Sequence, residues 1–156
     1  MDVATTTAQT PSSLPANLSH LLNGQTAYMQ AHLKYDGLKF SRSSTHLGNS
    51  LVMFYPNGNR SLSPVPGQIE HIIIKAGQPM FALKRHLPMS QAVADPFRFY
   101  EHLRMKVYSS QFTDVLELVD VEWVTGHFAQ YLVTSAHVVV MSLSRVSVFI
   151  FAQSSF

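Results

Sequence analysis

The chain has 156 residues, a formal net charge of +2 and no cysteine. This length suits one domain, and a hydrophobic fraction of 46% is enough to build a core. Charged residues make up only 13%, against a usual share of about 25%, so we expect an apolar surface that is covered by a partner or by more chain. Without cysteine, disulfides, thiolate zinc sites, iron–sulfur clusters and cysteine nucleophiles are excluded.

Neither end of the sequence has a pattern typical of a targeting or membrane segment. Residues 1–15 are rich in Thr, Ser, Ala and Pro and have no Lys or Arg, which predicts a disordered tail. The apolar run at 136–152 contains Arg145 near its middle and is shorter than the roughly 20 residues that a helical span needs. We therefore expect no membrane contact. The absence of cysteine fits an intracellular location, with the nucleus as one option.

In chain order, the first predicted elements are a short helix and a strand. Residues 17–35 favour the helix, although Gly24 weakens it. Residues 51–55 are apolar and predict a strand, and the turn residues at 56–59 end it. A loop is expected at 61–66.

The centre of the chain predicts a β-hairpin. Residues 68–75 are rich in isoleucine, residues 80–87 alternate in polarity, and Gly77 lies between them, where a tight turn favours positive φ. With one face turned inward, the most buried side chains are expected to be Ile72, Ile74, Phe81 and Leu83.

The second half predicts further strands, at 104–109, 115–119, 131–133 and 137–143. Pro96 favours a short turn capped by Asp95, and residues 121–128 favour one helical turn between Asp120 and Gly126. The predicted fold class is therefore mainly β: a small, bent antiparallel sheet or open barrel with one or two short helices.

This order of strands resembles that of the bromo-adjacent homology (BAH) domain. The matching pairs are Gly67 and Ile69 in the first strand, Val107 and Ser109 in the third, and Val124 and Gly126 in the last turn. The similar core covers about residues 50–143. The resemblance implies a small β-barrel that reads proteins or chromatin and is not an enzyme.

The block from Tyr35 to Arg145 also resembles a domain near the C-terminus of large fungal transposon-derived proteins, through segments such as 45–50 and 123–129. This resemblance implies a transposon-derived or truncated protein. We expect one β-rich domain at 16–145, followed at 146–156 by an atypical apolar tail. The tail begins with Val-Ser, which can be encoded by GTAAGT, a sequence with the form of an intron's 5′ boundary. The tail is therefore a candidate for translated intron sequence that is not native to the domain.

Trp123 is the main candidate for contact with a ligand. It is the only tryptophan, and it is either a core anchor or one wall of an aromatic cage for a methylated lysine. The predicted ligand-binding residues are Trp123, Tyr108 and Glu122. They would belong to a non-enzymatic interaction module for a protein or a histone-type peptide, whose oligomeric state the sequence leaves open.

A basic stretch at 84–106 supports an alternative function. Its cations are Lys84, Arg85, Arg98, Arg104 and Lys106, and aromatic residues lie between them. Such a pattern is typical of nucleic-acid contact and would suit an accessory domain of a mobile element. A solvated basic face over a core of aromatic residues is the simpler interpretation.

Motifs for catalysis and metal binding are missing from the sequence. It has no nucleophile elbow, zinc-protease helix or P-loop, and neighbouring histidines are ten or more residues apart. His71 and His86 could meet across the hairpin, and His127 could form an acid–base pair with Glu122, but structural roles are the simpler interpretations. We expect no enzymatic activity, no metal and no cofactor.

Overall fold

The computed structural model describes residues 14–90 and 94–144. The apolar tail at 146–156 and residues 1–13 of the predicted disordered tail lie outside the described residues. Leu14 packs against the cluster beneath the first helix. The described residues form ten strands and two short α-helices, which confirms the prediction of a mainly β fold.

The strands are β1 Tyr28–Gln30, β2 His32–Tyr35, β3 Leu38–Ser41, β4 Leu51–Phe54, β5 Val65–Lys75, β6 Gln78–Pro88, β7 Met105–Phe112, β8 Glu117–Asp120, β9 Val124–Leu132 and β10 His137–Ser142. The α-helices are α1 Ala16–Leu21 and α2 Leu47–Ser50. The 3-10 turns are Pro56–Gly58, Pro96–Phe99, Glu101–Leu103 and Val121–Trp123.

Eight of these strands form one antiparallel sheet that closes into a barrel. The strand order is β1-β5-β4-β9-β10-β7-β6-β8, and β5 also pairs with β6. The second pairing closes a ring of six strands, β5-β4-β9-β10-β7-β6. Strands β1 and β8 pair with parts of β5 and β6 outside this ring, and β2 and β3 form a separate hairpin. The predicted bent sheet or barrel is confirmed.

The β5–β6 hairpin supplies the longest strands of the barrel. Lys75 pairs with Gln78, and the two residues between them, Ala76 and Gly77, have φ of +49° and +76°. This is the two-residue turn that positive φ favours. The register shifts between Ile69 and His71, and such a bulge bends the strand. Because of this bend, one part of the hairpin belongs to the barrel and the other part packs against the layers outside it.

Both faces of this hairpin are buried, which the sequence does not predict. Three of the four expected side chains are fully buried: Ile72, Phe81 and Leu83. The prediction for Ile74 is wrong, since it is half-buried at the end of the hairpin. Ile73 is fully buried instead, because Leu18 and Leu22, in and just after α1, cover its face.

The buried side chains fall into three clusters. The main cluster lies between the hairpin, β2–β3 and β4, and includes Leu33, Phe40, Val52, Phe54, Ile69, Ile72, Phe81, Leu83, Val119 and Val121. The helix cluster lies beneath α1 and includes Leu18, Leu22, Ala27, Ile73, Ala82 and Leu116. The inner barrel cluster consists of Leu51, Met53, Tyr108, Phe128, Val138 and Val140.

The predicted helix at 17–35 is wrong beyond its first turns. Helix α1 ends at Leu21, and Asn23 and Gly24 follow with φ of +52° and +79°. Residues in this left-handed region cannot continue a right-handed helix. The rest of the segment forms β1 and β2, and β1 pairs with the outer part of β5.

The predicted caps are correct, but one of the turns is shorter than expected. The Asp95 carboxylate accepts a hydrogen bond from the Phe97 N–H at 2.8 Å, and Asp120 accepts one from the Glu122 N–H at 2.9 Å. The second turn ends at Trp123, and β9 begins at Val124. The prediction of a helical turn through residue 128 is therefore wrong, because the chain here pairs with β4 and β10.

Candidate functional site

Trp123 lies at the edge of the main cluster. Its side chain is half-buried against that cluster, and its carbonyl accepts a hydrogen bond from the Tyr55 N–H at 2.9 Å. The turn at Pro56–Gly58 packs directly against the indole ring. Glu122 is exposed beside it. These contacts are those of a core anchor, and the role of Trp123 in ligand binding stays a prediction.

Tyr108 lies in a different part of the molecule. It belongs to the inner barrel cluster and is only 7% exposed, with the Lys106 ammonium 5.3 Å from its ring centroid. Burial and the nearby charge of Asp95 raise the pKa of its phenol. The structure therefore brings Glu122 and Trp123 together but leaves Tyr108 in a separate cluster.

The predicted basic residues lie on β6, in the 3-10 turn Pro96–Phe99, and at and just before the start of β7. Lys84 and Arg85 are neighbours on β6 and so point to opposite faces. The Arg85 guanidinium makes two hydrogen bonds of 2.7 Å to the Glu117 carboxylate. Those bonds raise the pKa of Arg85, and burial opposes the rise. Arg85 is thus already paired with an acid within the chain.

The remaining cations contact groups near the other end of β7. Arg98 lies over Phe99, 4.5 Å from its ring centroid. Arg104 donates to the Ser144 carbonyl, and Lys106 pairs through its backbone with Val140 on β10. Together with the Arg85 ion pair, these contacts engage Arg98 and Arg104 with other groups of the described chain.

A cavity of about 350 Å³ lies at one mouth of the barrel. We call it the mouth cavity, and it is lined by Leu47, Gln68, His86, Ser110, Phe112, Gln130, Leu132 and Val138. The registers of the strands explain this grouping. His86 lies opposite Phe112 across β6 and β7, and Val138 lies opposite Leu132 across β10 and β9. Helix α2 supplies Leu47 at the rim.

His86 is the most deeply buried polar group of the mouth cavity. It is 4% exposed, and its ring centroid is 4.1 Å from that of Phe112. Its Nδ1 lies 2.9 Å from the Ser109 carbonyl oxygen. A carbonyl only accepts hydrogen bonds, so Nδ1 carries the proton and Nε2 presents a lone pair.

No polar group of the described residues is aligned to hydrogen-bond the buried Nε2 of His86. Burial lowers the pKa of the ring, while the Ser109 carbonyl and the nearby Gln130 side chain oppose this shift. Nε2 is closed to solvent, so a ligand in the cavity would not contact it unless neighbouring side chains moved.

The lining of the mouth cavity is uncharged, and its rim is apolar. Its polar side chains are two amides, one hydroxyl and the neutral imidazole. Leu47 and Leu132 at the rim are 51% and 61% exposed. Tyr131 near the end of β9 and Val133 in the following turn are also exposed. An uncharged site with apolar edges suits a neutral apolar group and not an ion.

The mouth cavity is a site that the sequence reasoning missed. The alternating polarity of residues 80–87 predicts that Leu83 points inward. His86 is on the opposite face of the strand, so the same pattern predicts a surface imidazole. In the closed barrel that opposite face lines the interior. The signal in the sequence is the row of aromatic and apolar residues on β7, β9 and β10. These strands come to the same cavity as β6 only through long-range pairings around the ring, β9 with β10, β10 with β7 and β7 with β6.

A second depression, of about 490 Å³, lies at the turn between β7 and β8. It is formed almost entirely by consecutive residues at 111–117, with Leu87 at one side. Its Glu117 carboxylate is held by Arg85. This depression therefore offers a ligand less enclosure than the mouth cavity.

The histidines do not form a metal centre within the described part of the chain, where no group of three potential ligands lies together. His71 lies opposite Ala82 on the hairpin, and burial lowers its pKa. His127 stacks on Phe40, with ring centroids 4.8 Å apart, and burial lowers its pKa too.

Within residues 14–90 and 94–144, no helix is both long and apolar enough to cross a bilayer. No family model, characterised protein or solved structure matches this chain. The resemblance to BAH domains and to fungal transposon-derived proteins therefore stays a prediction, and the site's own chemistry must support any functional proposal.

Proposed function

We propose that the chain is a non-enzymatic interaction module that binds a segment of a partner protein at the mouth cavity. The observation that carries this proposal is a 350 Å³ cavity without charged lining, at a barrel end where leucines are exposed on the rim. Ligand sites typically have volumes of roughly 300–1,000 Å³ and combine an apolar lining with a few polar groups.

The rim supplies the free energy that such binding needs. Covering an exposed leucine removes apolar surface from water and contributes up to roughly 1.5–3 kcal/mol when burial is complete. Leu47 and Leu132 are each more than half exposed. A partner segment that covers both would gain a few kcal/mol before any polar contact, which suits a weak and reversible interaction.

The arrangement of the cations favours a protein partner over a nucleic acid. Tracking a phosphate backbone needs several unpaired cations along one groove. Arg85 is paired with Glu117, and no cation lines the mouth cavity. The nucleic-acid alternative with Lys84, Arg85, Arg98, Arg104 and Lys106 is therefore an outcome that the test must distinguish.

Histone-type peptides belong among the candidate partners. The resemblance to BAH domains predicts them, and with them a nuclear location and a transposon-derived origin. A methylated lysine would require the predicted cage around Trp123 and Glu122, because the mouth cavity offers no carboxylate to a cation. Histone peptides with and without methylation therefore test the two sites separately.

The proposal can be tested with a displayed library of random peptides to which histone-tail peptides are added. Selected peptides are then titrated by fluorescence polarisation against the wild-type chain and against Leu132→Asp. The matched control is Leu62→Asp, which alters a leucine of similar exposure, 50% against 61%, in the loop before β5. We expect Leu132→Asp to weaken binding at least about tenfold and Leu62→Asp to leave it unchanged.

Salt separates the two classes of partner. Peptide binding at an uncharged cavity should change little between about 50 and about 200 mM salt, whereas binding of a single-stranded oligonucleotide should fall steeply. Failure to select any peptide, or equal affinity of selected peptides for wild type and Leu132→Asp, would contradict the proposal. Tight, salt-sensitive oligonucleotide binding would favour the nucleic-acid alternative.

A further inference from the structure

Strand β9 is longer than its neighbour β4, so part of one edge of β9 has no strand beside it. The nine-residue strand β9 pairs with β10 over residues 128–132, whereas the four-residue strand β4 pairs with β9 only over residues 124–127. In the described ranges no strand pairs with Gln130 or Leu132 on the β4 side. We call residues 130–132 on this side the open edge.

The hydrogen bonds to β10 fix which backbone groups point towards the open edge. The His127 carbonyl accepts a bond of 2.9 Å from the Leu143 N–H, and the Val133 N–H donates to the first residue of β10 at 3.0 Å. In an antiparallel pair, residues that bond to the neighbouring strand alternate with residues whose N–H and C=O groups point away from it. Gln130 and Leu132 therefore direct both backbone groups away from β10, towards the open edge.

The open edge is accessible and lacks the usual protection of a strand edge. Gln130 and Leu132 are exposed, and no turn or loop of the described chain bonds to their backbone groups. Charged side chains commonly keep exposed edges from pairing with other chains, but residues 128–133 contain none. Two N–H donors and two carbonyl acceptors are thus available to an extended chain.

The open edge borders the mouth cavity. The side chains of Gln130 and Leu132 line this cavity, and so do those of Leu47 and Gln68, so there is open space beside the edge. Residues that lie directly opposite each other on adjacent strands place their side chains on the same face. The residues of an added strand that pair with Gln130 and Leu132 would therefore direct their side chains towards the mouth cavity.

The lining of the cavity limits the charge of those side chains. It contains no lysine, arginine, aspartate or glutamate. A charged side chain would lose its water there without meeting an opposite charge, which is unfavourable. Complementarity therefore favours a segment whose alternate residues are neutral and apolar.

We infer that the partner segment binds in an extended conformation and adds a short strand to the open edge of β9, with two alternate apolar side chains directed towards the mouth cavity. This mode of recognition combines main-chain hydrogen bonds, which give affinity, with a pocket for alternate side chains, which gives specificity. The inference rests on the proposed function and names the conformation and chemistry of the segment that the module recognises.

Amide hydrogen exchange in the free protein tests the open edge without any partner. Ala129 and Tyr131 pair with β10 through their backbones, so their N–H groups should exchange at least about tenfold more slowly than those of Gln130 and Leu132. Equally slow exchange of all four amides would overturn the inference, because the edge would already be occupied. If that protection increased with protein concentration, the occupant would be a second copy of this chain.

A scan of backbone N-methyl groups tests the added strand. A peptide selected from the library is synthesised with one N-methyl group at a time, and each version is titrated by fluorescence polarisation. Each methyl group removes one main-chain donor. We expect affinity to fall at least about tenfold at two positions that are two residues apart, and less than about threefold at the position between them, which is the matched control. Binding of the unmodified peptide should also slow exchange of the Gln130 and Leu132 amides.

The possible results separate this inference from the proposed function. Insensitivity to every N-methyl group, or important side chains spaced three and four residues apart as on a helix, would overturn the added strand. If the same peptide still loses affinity with Leu132→Asp, the proposed function stands. Peptides that ignore Leu132→Asp, or a library that yields no peptide, would remove the proposed function and this inference with it.

Discussion

Gly58 and Trp123 pack so closely that a Cβ atom on residue 58 would lie 2.6 Å from the indole Nε1. The two residues belong to different turns, Pro56–Gly58 and Val121–Trp123. Gly58 also has φ of +70°, which favours glycine. This contact joins the end of β4 to the start of β9 at the edge of the main cluster.

Gly58→Ala should therefore destabilise the protein through both strain and overlap. The matched control is Gly77→Ala, since Gly77 has φ of +76° and nothing within 4 Å of an added Cβ. We expect the control to lose about 1 kcal/mol of unfolding free energy, and Gly58→Ala to lose a further 1–3 kcal/mol, roughly the cost of overpacking. Urea denaturation measures the unfolding free energy of both variants. Equal losses would show that the Trp123 indole moves aside at little cost.

Trp123→Ala should destabilise the fold substantially. Removing a large aromatic side chain from a core costs about 3–5 kcal/mol, and we expect a value near the lower end because Trp123 is only half-buried. Tyr131→Ala, at a residue that is 73% exposed, should cost less than about 1 kcal/mol. If Trp123→Ala leaves the melting temperature unchanged, the core role is wrong and the cage role gains support.

Ile73 and Ile74 test the burial of both faces of the hairpin. Ile73 is fully buried beneath α1, while Ile74 is half-buried. Ile73→Ala should cost about 2–5 kcal/mol, and Ile74→Ala should cost less than half of that amount. Chemical denaturation compares the two variants. A larger loss for Ile74→Ala than for Ile73→Ala would contradict the packing of Ile73 beneath α1.

Stability should fall as the pH drops below the ordinary histidine value of 6.5. Burial lowers the pKa values of His71, His86 and His127 in the folded state. The unfolded chain then binds more protons just below pH 6.5, so the unfolding free energy decreases as pH falls. The stabilising contribution of these three histidines is fully present above the ordinary value of 6.5. It decreases as the pH falls towards their lowered pKa values.

Thermal melts at about pH 7 and about pH 5 check this expectation. The melting temperature should be lower at the acidic pH, and His86→Phe should lose less on acidification than wild type because one titrating ring is gone. A melting temperature that is constant or higher at the acidic pH would contradict the burial of these rings.

Local chemistry is enough to predict the turns and caps of this fold. Ala76 and Gly77 lie between two strand-like segments, and Asp95 and Asp120 precede short turns, so each element depends only on neighbours in the sequence. The wrong prediction of a helix over residues 17–35 also has a local cause, because Asn23 and Gly24 adopt left-handed conformations that end α1.

The candidate site depends instead on long-range pairing. His86 reaches the mouth cavity because β6 pairs with β7 at Phe112, and β10 brings Val138 to the same end. Alternation along one strand distinguishes two faces but does not tell which of them a closed barrel encloses. The sequence predicts the barrel class, and only the closed ring shows that its interior contains His86.

The central claim is that a partner segment binds at the mouth cavity, and NMR mapping with a selected peptide tests it most directly. Backbone and side-chain amide signals of ¹⁵N-labelled protein are recorded during the titration. We predict the largest shifts at Gln68, His86, Ser110, Gln130 and Val138. Shifts confined to the surroundings of Trp123 and Glu122, or to Phe99 and its neighbours, would contradict the account.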